Sequence, residues 1–246
     1  MNDTRPLRAA VAGLLSFAAA EEQALLAAIP SGPSGPGPSG EEGSPDRWAA
    51  VPLVAHNNQF KTQQAERLIA LRTGHIPPAF AEVDHASFEV YQGYCARPAG
   101  DVLRECRRVS AELIDGTWAL ADEDLLDPAR HPWLNGRLLW LQIIVRGFWH
   151  PTGHLGEYYL GHGRPERAVA LAEHGLATAR YLGAPAQAAG MAGYGLACAL
   201  ARAGRPDEAA PVLAEAIEAN PDLRVNAARD PDLAALREAG LVAALR

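Results

Sequence analysis

Apolar residues recur at steps of three and four along most of the chain, which is the spacing of an amphipathic α-helix. The pattern predicts helices over about 7–29, 46–74 and 101–121, and a fourth that starts near residue 136. The fourth is apolar on nearly all sides, so we expect it to be the most buried. Together these helices predict an all-α bundle as the first domain, over residues 1–163.

The segments between the predicted helices differ in character. Residues 31–45 are mostly Gly, Pro and Ser and hold no apolar side chain, which predicts a mobile loop. Residues 75–100 lack a clean period and contain a pair of prolines, so we expect an extended crossing segment there. Residues 122–135 are predicted to form a loop.

The composition changes after Gly163, where Ala-rich helical segments are separated by Gly or Pro. The predicted helices cover 164–182, 186–203, 206–219 and 230–244. Their small, apolar and turn residues resemble one and a half tetratricopeptide (TPR) repeats, a helix-turn-helix unit. The matching residues are Leu196, Ala197, Gly204, Asp207, Glu208, Ala209, Ala216 and Pro221. Because each repeat buries its apolar face only on a neighbour, we expect a TPR-like second domain, 164–246, packed on the first.

Charge and cysteine content exclude several classes of function. The formal net charge is −7 and no block of Lys or Arg is present, so we expect no nucleic acid partner. Three cysteines without a C-x-x-C spacing predict free thiols in a reducing compartment. No charge-free apolar run reaches eighteen residues, and the apolar stretch 9–20 is followed by Glu21 and Glu22. We therefore expect a cytoplasmic protein with no membrane partner and no signal peptide.

Two histidines four residues apart, His150 and His154, are predicted to share one face of the fourth helix about 6 Å apart, which suits one metal ion. Such a pair is more often structural, so a metal site requires a third ligand. His56 lies midway along the second predicted helix, on a stripe with Leu53 and Phe60. It is either a core histidine bonded to a backbone carbonyl or that third ligand.

At this point the chain resembles the DinB-like (YfiT-like) family of four-helix-bundle metalloenzymes. The matching stretches are Trp48 with 54–56, 122–125 and 149–156. The resemblance covers about residues 7–161 and implies a divalent metal held by His56, His150 and His154. Two residues inside the histidine pair, Pro151 and Gly153, depart from the family's pattern and predict a kink or restart of the fourth helix.

Three neutral imidazoles leave a divalent metal with open positions for water or a substrate atom, and nitrogen ligands favour zinc or nickel. Arg146, one turn before His150, is either an anchor for a substrate carboxylate or the salt-bridge partner of Asp122 or Glu123. Tyr158, one turn past His154, is the predicted proton donor. Polar side chains predicted to line the mouth of the site are Asn57, Gln59 and Gln63.

Three kinds of function follow from these observations. The resemblance implies a metal-dependent thiol S-transferase, or a related isomerase or lyase, that activates a low-molecular-weight thiol. The chain has one lysine against 21 arginines, a bias typical of a GC-rich genome such as that of an actinobacterium, where the thiol would be mycothiol. The second kind is a binding or self-resistance protein that sequesters or hydrolyses a reactive metabolite, with the TPR-like unit recruiting a protein partner or a second copy.

The third kind is a structural histidine cluster on an interaction scaffold. A nucleophilic cysteine, Cys95 or Cys106, paired with a histidine is a further alternative.

Overall fold

The computed structural model describes residues 4–29, 48–78 and 88–241. All regular secondary structure in these ranges is helical, which confirms the predicted all-α class. The predicted mobile loop 31–45 lies outside the described residues. The chain divides into two compact units, Met1–His154 and Leu155–Arg246.

The first unit is built from long helices around one apolar core. Its helices are α1 (Arg5–Ala27), α2 (Ala50–Arg72), α3 (Phe88–Cys95), α4 (Ala99–Ala119), α5 (Asp122–Leu126), α6 (Leu139–Ile144) and the first turns of α7 (His150–Gly161). Both α1 and α2 lie against α4, and α6 contacts α1. Fully buried side chains from these helices include Leu14, Leu15, Val51, Leu68, Val109, Leu113, Ile143 and Phe148. This core fixes the faces of α2 and α6 that point inward.

The fourth predicted helix is one helical path with an irregular turn. A π-helical turn, Val145–Trp149, joins α6 to α7. Pro151 has no N–H, and its ring would collide with the carbonyl four residues earlier in a regular α-helix. A wider turn just before the proline relieves that collision. The irregularity that the sequence predicts at Pro151 and Gly153 is a π turn that ends two residues before the proline.

Two of the predicted connections contain helices. The expectation of an extended segment over 75–100 is wrong for its second half, where α3 forms, while 79–87 lies outside the described residues. The expectation of a loop over 122–135 is wrong at both ends, because α5 and a 3₁₀ turn, Pro132–Leu134, form there. Three acidic residues in the first turn of α5 interact favourably with the positive end of its helix dipole. They stabilise a short helix in a segment that was predicted to be a loop.

Two ion pairs tie α1 to the rest of the first unit. Arg8 Nη2 lies 2.7 Å from Asp122 Oδ1, and Lys61 Nζ lies 2.6 Å from Glu22 Oε2 with both side chains buried. By length and composition α1 is apolar enough to cross a membrane, and 56% of its apolar window is buried in this unit. Arg8 and Glu22 of α1 are buried and paired within this unit, as is typical of charged residues in a protein core.

The second unit holds α8 (Pro165–Tyr181), α9 (Ala186–Arg202), α10 (Pro206–Ala219), α11 (Leu223–Ala227) and α12 (Ala234–Glu238). Consecutive helices α8, α9 and α10 pack on one another through short connections. Gly183 and Gly204 adopt left-handed φ angles of 61° and 77° where α8 and α9 end. The predicted single helix over 230–244 is wrong, because Asp230 caps a 3₁₀ turn, Pro231–Leu233, and α12 ends at Glu238.

Candidate metal centre

Three histidines lie together in the first unit. Their nitrogen ligand atoms all lie within 4.8 Å of one another. The ring centroid of His56 is 5.2 Å from that of His150 and 5.0 Å from that of His154, and the latter two are 4.4 Å apart. His56 is buried, whereas His150 and His154 are half-buried, so the group has one dry side and one side that reaches solvent.

The distance between two of the ring nitrogens fits a shared metal ion. His56 Nε2 lies 3.3 Å from His154 Nε2. Two nitrogen ligands about 2.0–2.1 Å from a tetrahedral centre are about 3.4 Å apart. An N–H···N hydrogen bond between two neutral rings would be long at this distance. The donor set of three neutral imidazoles suits a divalent transition metal such as zinc or nickel.

The backbone explains why these three residues converge. Leu53 and Val54 are fully buried, and they direct the first turns of α2, and His56 with them, into the core. His150 and His154 are one turn apart at the start of α7 and therefore share a face. The π turn before His150 sets the angle at which this face meets α2.

Aromatic side chains enclose the buried side of the triad. Trp48 packs edge-on against His56 with ring centroids 5.5 Å apart, and Phe60 lies 4.9 Å from His56 and 4.4 Å from His150. Tyr94 of α3 lies 6.2 Å from His56. Its pKa is raised by burial, so this phenol stays neutral at ordinary pH.

The three predicted lining residues have different surroundings. Gln59 is half-buried and its side-chain oxygen accepts a hydrogen bond from the Tyr94 hydroxyl. Gln63 is half-buried and lies two turns beyond His56 on the same face of α2. Asn57 is fully buried but follows His56 directly, so it points about 100° away around the helix axis.

Arg146 is half-buried beside Phe60. Its guanidinium carbon is 4.8 Å from the centroid of the Phe60 ring, which in turn packs on His150. Partial burial lowers the pKa of Arg146, though the group stays a cation. The Asp122 carboxylate, one of its two expected salt-bridge partners, accepts from Arg8 and from the Thr4 hydroxyl.

Tyr158 belongs to the second unit and lies one turn after His154 along α7. Its ring stacks on that of His162 with centroids 4.0 Å apart, and its backbone carbonyl accepts a hydrogen bond from His162 Nδ1. Burial raises the pKa of Tyr158, and neighbouring Tyr159 adds to the shift. A phenol held neutral in this way retains the proton that a donor requires.

No family model, curated protein or solved structure matches the chain. The resemblance to DinB-like proteins therefore rests on the quoted stretches and on the site.

The alternative of a nucleophilic cysteine is not supported at Cys106, and at Cys95 it stays an alternative. Cys106 is fully buried, and burial, followed by the charge of Glu22, raises the pKa of its thiol to about 12. A thiol of this kind is not a thiolate at ordinary pH.

A second group of possible metal ligands lies in the second unit, where Cys198, Asp230 and Asp232 approach one another. Both carboxylates already have partners. Tyr194 donates to Asp230 Oδ2 at 2.5 Å, and Arg202 lies 3.4 Å from Asp232. Burial raises the pKa of Cys198 well above its usual value, and Asp230 contributes to the shift. These contacts hold the turn between α11 and α12 against α9.

Sequence reasoning missed several residues around the triad. Tyr91 and Tyr94 lie in α3, and their spacing of three between two proline-containing stretches was a helical signal. Away from the triad, the buried Arg67 was missed too, although it lies on the same stripe of α2 as His56, at a spacing of eleven residues. A cation on a stripe that is predicted to be buried could have been recognised from the sequence as a residue with a specific partner.

Proposed function

We propose that the first unit is a metal-dependent enzyme of the DinB-like type, in which His56, His150 and His154 bind one divalent zinc or nickel ion. The observation that supports this proposal is the approach of three imidazoles from two helices, with two ring nitrogens 3.3 Å apart. When bound, such an ion supplies a Lewis acid that lowers the pKa of a water or thiol nucleophile.

The reaction that we propose is the thiol-dependent S-transfer, isomerisation or lyase chemistry that the DinB-like resemblance implies, with a low-molecular-weight thiol such as mycothiol as the cofactor. Trp48, Phe60 and Tyr94 keep water from the buried side of the triad. Arg146 is in position to orient an anionic group of the substrate, because its guanidinium is fixed over Phe60 beside His150. Tyr158 is the proposed proton donor.

The finer architecture belongs to the same proposal. We interpret α1, α2, α4 and the helix that runs from α6 into α7 as a four-helix bundle. We interpret α8, α9 and α10, with 17, 17 and 14 residues and short connections, as a TPR-like unit. Such a unit would bind a protein partner or a second copy. The protein is proposed to act in the cytoplasm on a small molecule.

Elemental analysis of the purified full-length protein tests the metal site. We expect about one zinc or nickel ion per chain, and a large loss of metal in the His56→Ala and His154→Ala variants because each removes one of three ligands. His174→Ala is the matched control, since this histidine is exposed on α8. Folded His56→Ala and His154→Ala proteins that retain the wild-type metal content would show that the histidine cluster is structural.

A second assay separates the enzyme from the binding protein. The metal-loaded protein is mixed with a low-molecular-weight thiol and a panel of electrophiles, and the free thiol is followed with time. Catalysed thiol consumption supports the S-transferase. If the protein instead binds one of the electrophiles tightly, or hydrolyses it without consuming thiol, the result would favour a self-resistance protein.

A further inference from the structure

A tight turn made of Asn135 and Gly136 joins the 3₁₀ turn Pro132–Leu134 to the segment that enters α6. Both residues have left-handed backbone angles. At Asn135 φ is 52° and ψ is 45°, and at Gly136 φ is 80°. Glycine adopts this conformation without strain, and asparagine adopts it more readily than most other residues. The geometry of the turn therefore accounts for this pair of residue types.

Both residues of this turn are exposed to solvent. The turn is held by two backbone hydrogen bonds, in which the N–H of Asn135 donates to the Pro132 carbonyl and the N–H of Arg137 donates to the Leu134 carbonyl, each at 3.1 Å. Between these bonds, the Gly136 N–H and the Asn135 side-chain amide have no hydrogen-bond partner among the residues that the structure describes. The two groups are adjacent in the chain and free to react with each other.

We infer that Asn135 is a site of spontaneous deamidation. Rotation about ψ of Asn135 brings the Gly136 nitrogen to the side-chain carbonyl carbon, Cγ, and glycine has no side chain to obstruct the approach. The new C–N bond closes a five-membered succinimide ring. The Cγ–Nδ2 bond breaks, and the amide leaves as ammonia with the proton from the Gly136 nitrogen. One water molecule then hydrolyses the ring at either carbonyl and leaves aspartate or isoaspartate.

The other asparagines that the structure describes each lack one of these conditions. Asn57 and Asn58 are fully buried in α2. Asn220 precedes a proline, whose nitrogen carries no hydrogen and cannot form the ring. Asn226 is exposed, but it lies within α11 and the next residue, Ala227, is fully buried. Among these residues the reaction is therefore expected at Asn135 alone.

The modification changes both the charge and the main chain of the turn. Either product adds a negative charge, and isoaspartate also inserts a methylene group into the main chain. The insertion falls between Leu134 and Leu139, whose side chains are both buried and fix the two ends of the segment. The lengthened chain cannot keep both hydrogen bonds of the turn, so the isoaspartate form should be less stable. This inference does not depend on the proposed metal site.

Peptide mapping of the folded full-length protein tests the site. The protein is incubated for days at physiological temperature and pH, and samples are digested briefly with trypsin and analysed by chromatography and mass spectrometry. Cleavage after Arg130 and Arg137 releases 131–137 as one peptide with Asn135, and 225–229 carries Asn226 as an internal control. A synthetic peptide of residues 131–137, incubated in parallel, gives the reaction rate without the fold.

We expect aspartate and isoaspartate to form at Asn135 in the folded protein at more than about one tenth of the peptide rate, since a tenfold slowing equals about 1.4 kcal/mol of extra barrier. Asn226 should stay unmodified. Asn135→Gly keeps a residue that tolerates the left-handed backbone and should show no conversion. Slower conversion at Asn135, or equal conversion at Asn226, would overturn the inference.

Thermal unfolding tests the effect on the turn. The isoaspartate form is separated from the aged protein by chromatography and compared with the Asn135→Asp variant, which has the added charge without the added methylene group. We expect the isoaspartate form to unfold at a lower temperature than Asn135→Asp. Equal unfolding temperatures would show that the turn accommodates the longer main chain, and would contradict the expected loss of stability.

Discussion

Lys61 and Glu22 form a buried ion pair, with 2.6 Å between Lys61 Nζ and Glu22 Oε2. Cys106 Sγ lies 3.5 Å from the same ammonium. Burial opposes the charge on Lys61, but the attraction of Glu22, with a contribution from Cys106, outweighs it and raises the pKa of Lys61. The ammonium form is therefore bound more tightly in the folded state than in the unfolded chain.

This shift predicts how stability depends on pH. A group whose pKa is raised on folding stabilises the fold fully below its unfolded value, which is 10.5 for lysine, and the contribution is lost as pH rises through the folded pKa. We expect the free energy of unfolding, measured in guanidinium chloride, to fall as pH is raised above about 10.5.

Two variants serve as controls for this prediction. Lys61→Met leaves the Glu22 carboxylate buried without its cation, so it should destabilise the protein by about 3–5 kcal/mol at pH 7. The double variant Lys61→Met, Glu22→Leu replaces the pair by apolar groups and should recover most of that loss while removing this part of the alkaline dependence. An unchanged alkaline loss in the double variant would assign it to other groups.

The turn from Val145 to Trp149 brings a glycine against α1. A Cβ built on Gly147 would overlap the Leu15 side chain and lie 3.3 Å from Leu113 Cδ1. Glycine at this position thus lets the π turn pack closely on α1 and α4. His150 follows three residues later, so a displacement of this turn from α1 would also move the start of α7.

Gly147→Ala should destabilise the first unit by about 1–3 kcal/mol, because the added methyl group overpacks the core. It should also lower metal content, since α7 must move. Gly153→Ala is the matched control on the same helical path, because nothing lies within 4 Å of its Cβ position and the residue is exposed. Thermal unfolding and elemental analysis of both variants check the prediction, and equal effects at the two glycines would contradict it.

The long helices were predictable from sequence because their apolar spacing is set by burial along a whole face. The kink or restart of the fourth helix was expected at Pro151 and Gly153, whereas the π turn lies just before them, because Pro151 has no N–H to donate and the backbone adjusts ahead of it. Helix α3 was missed because it has only eight residues and lies between prolines. Propensity is a weak signal over so short a stretch.

For the molecule as a whole, the all-α class and the shared face of His150 and His154 followed from the sequence, because helix spacing fixes which residues share a face. That His56 joins this pair was implied by the DinB-like resemblance and not by spacing. The surroundings of Arg67 did not follow, since Trp133 lies far along the chain and only the fold brings its ring to the Arg67 guanidinium. Packing of residues 164–246 on the first unit stays a prediction, and so does membership of the DinB-like family.

The chain has a single lysine, and the fold buries it. Reagents that acylate amines therefore meet no lysine on the surface of the folded protein. Lys61 becomes reactive only when the core between α1, α2 and α4 opens, so its acylation rate measures that opening directly. Mass spectrometry at this one residue, after brief exposure to an acetylating reagent, makes Lys61 a natural reporter of unfolding.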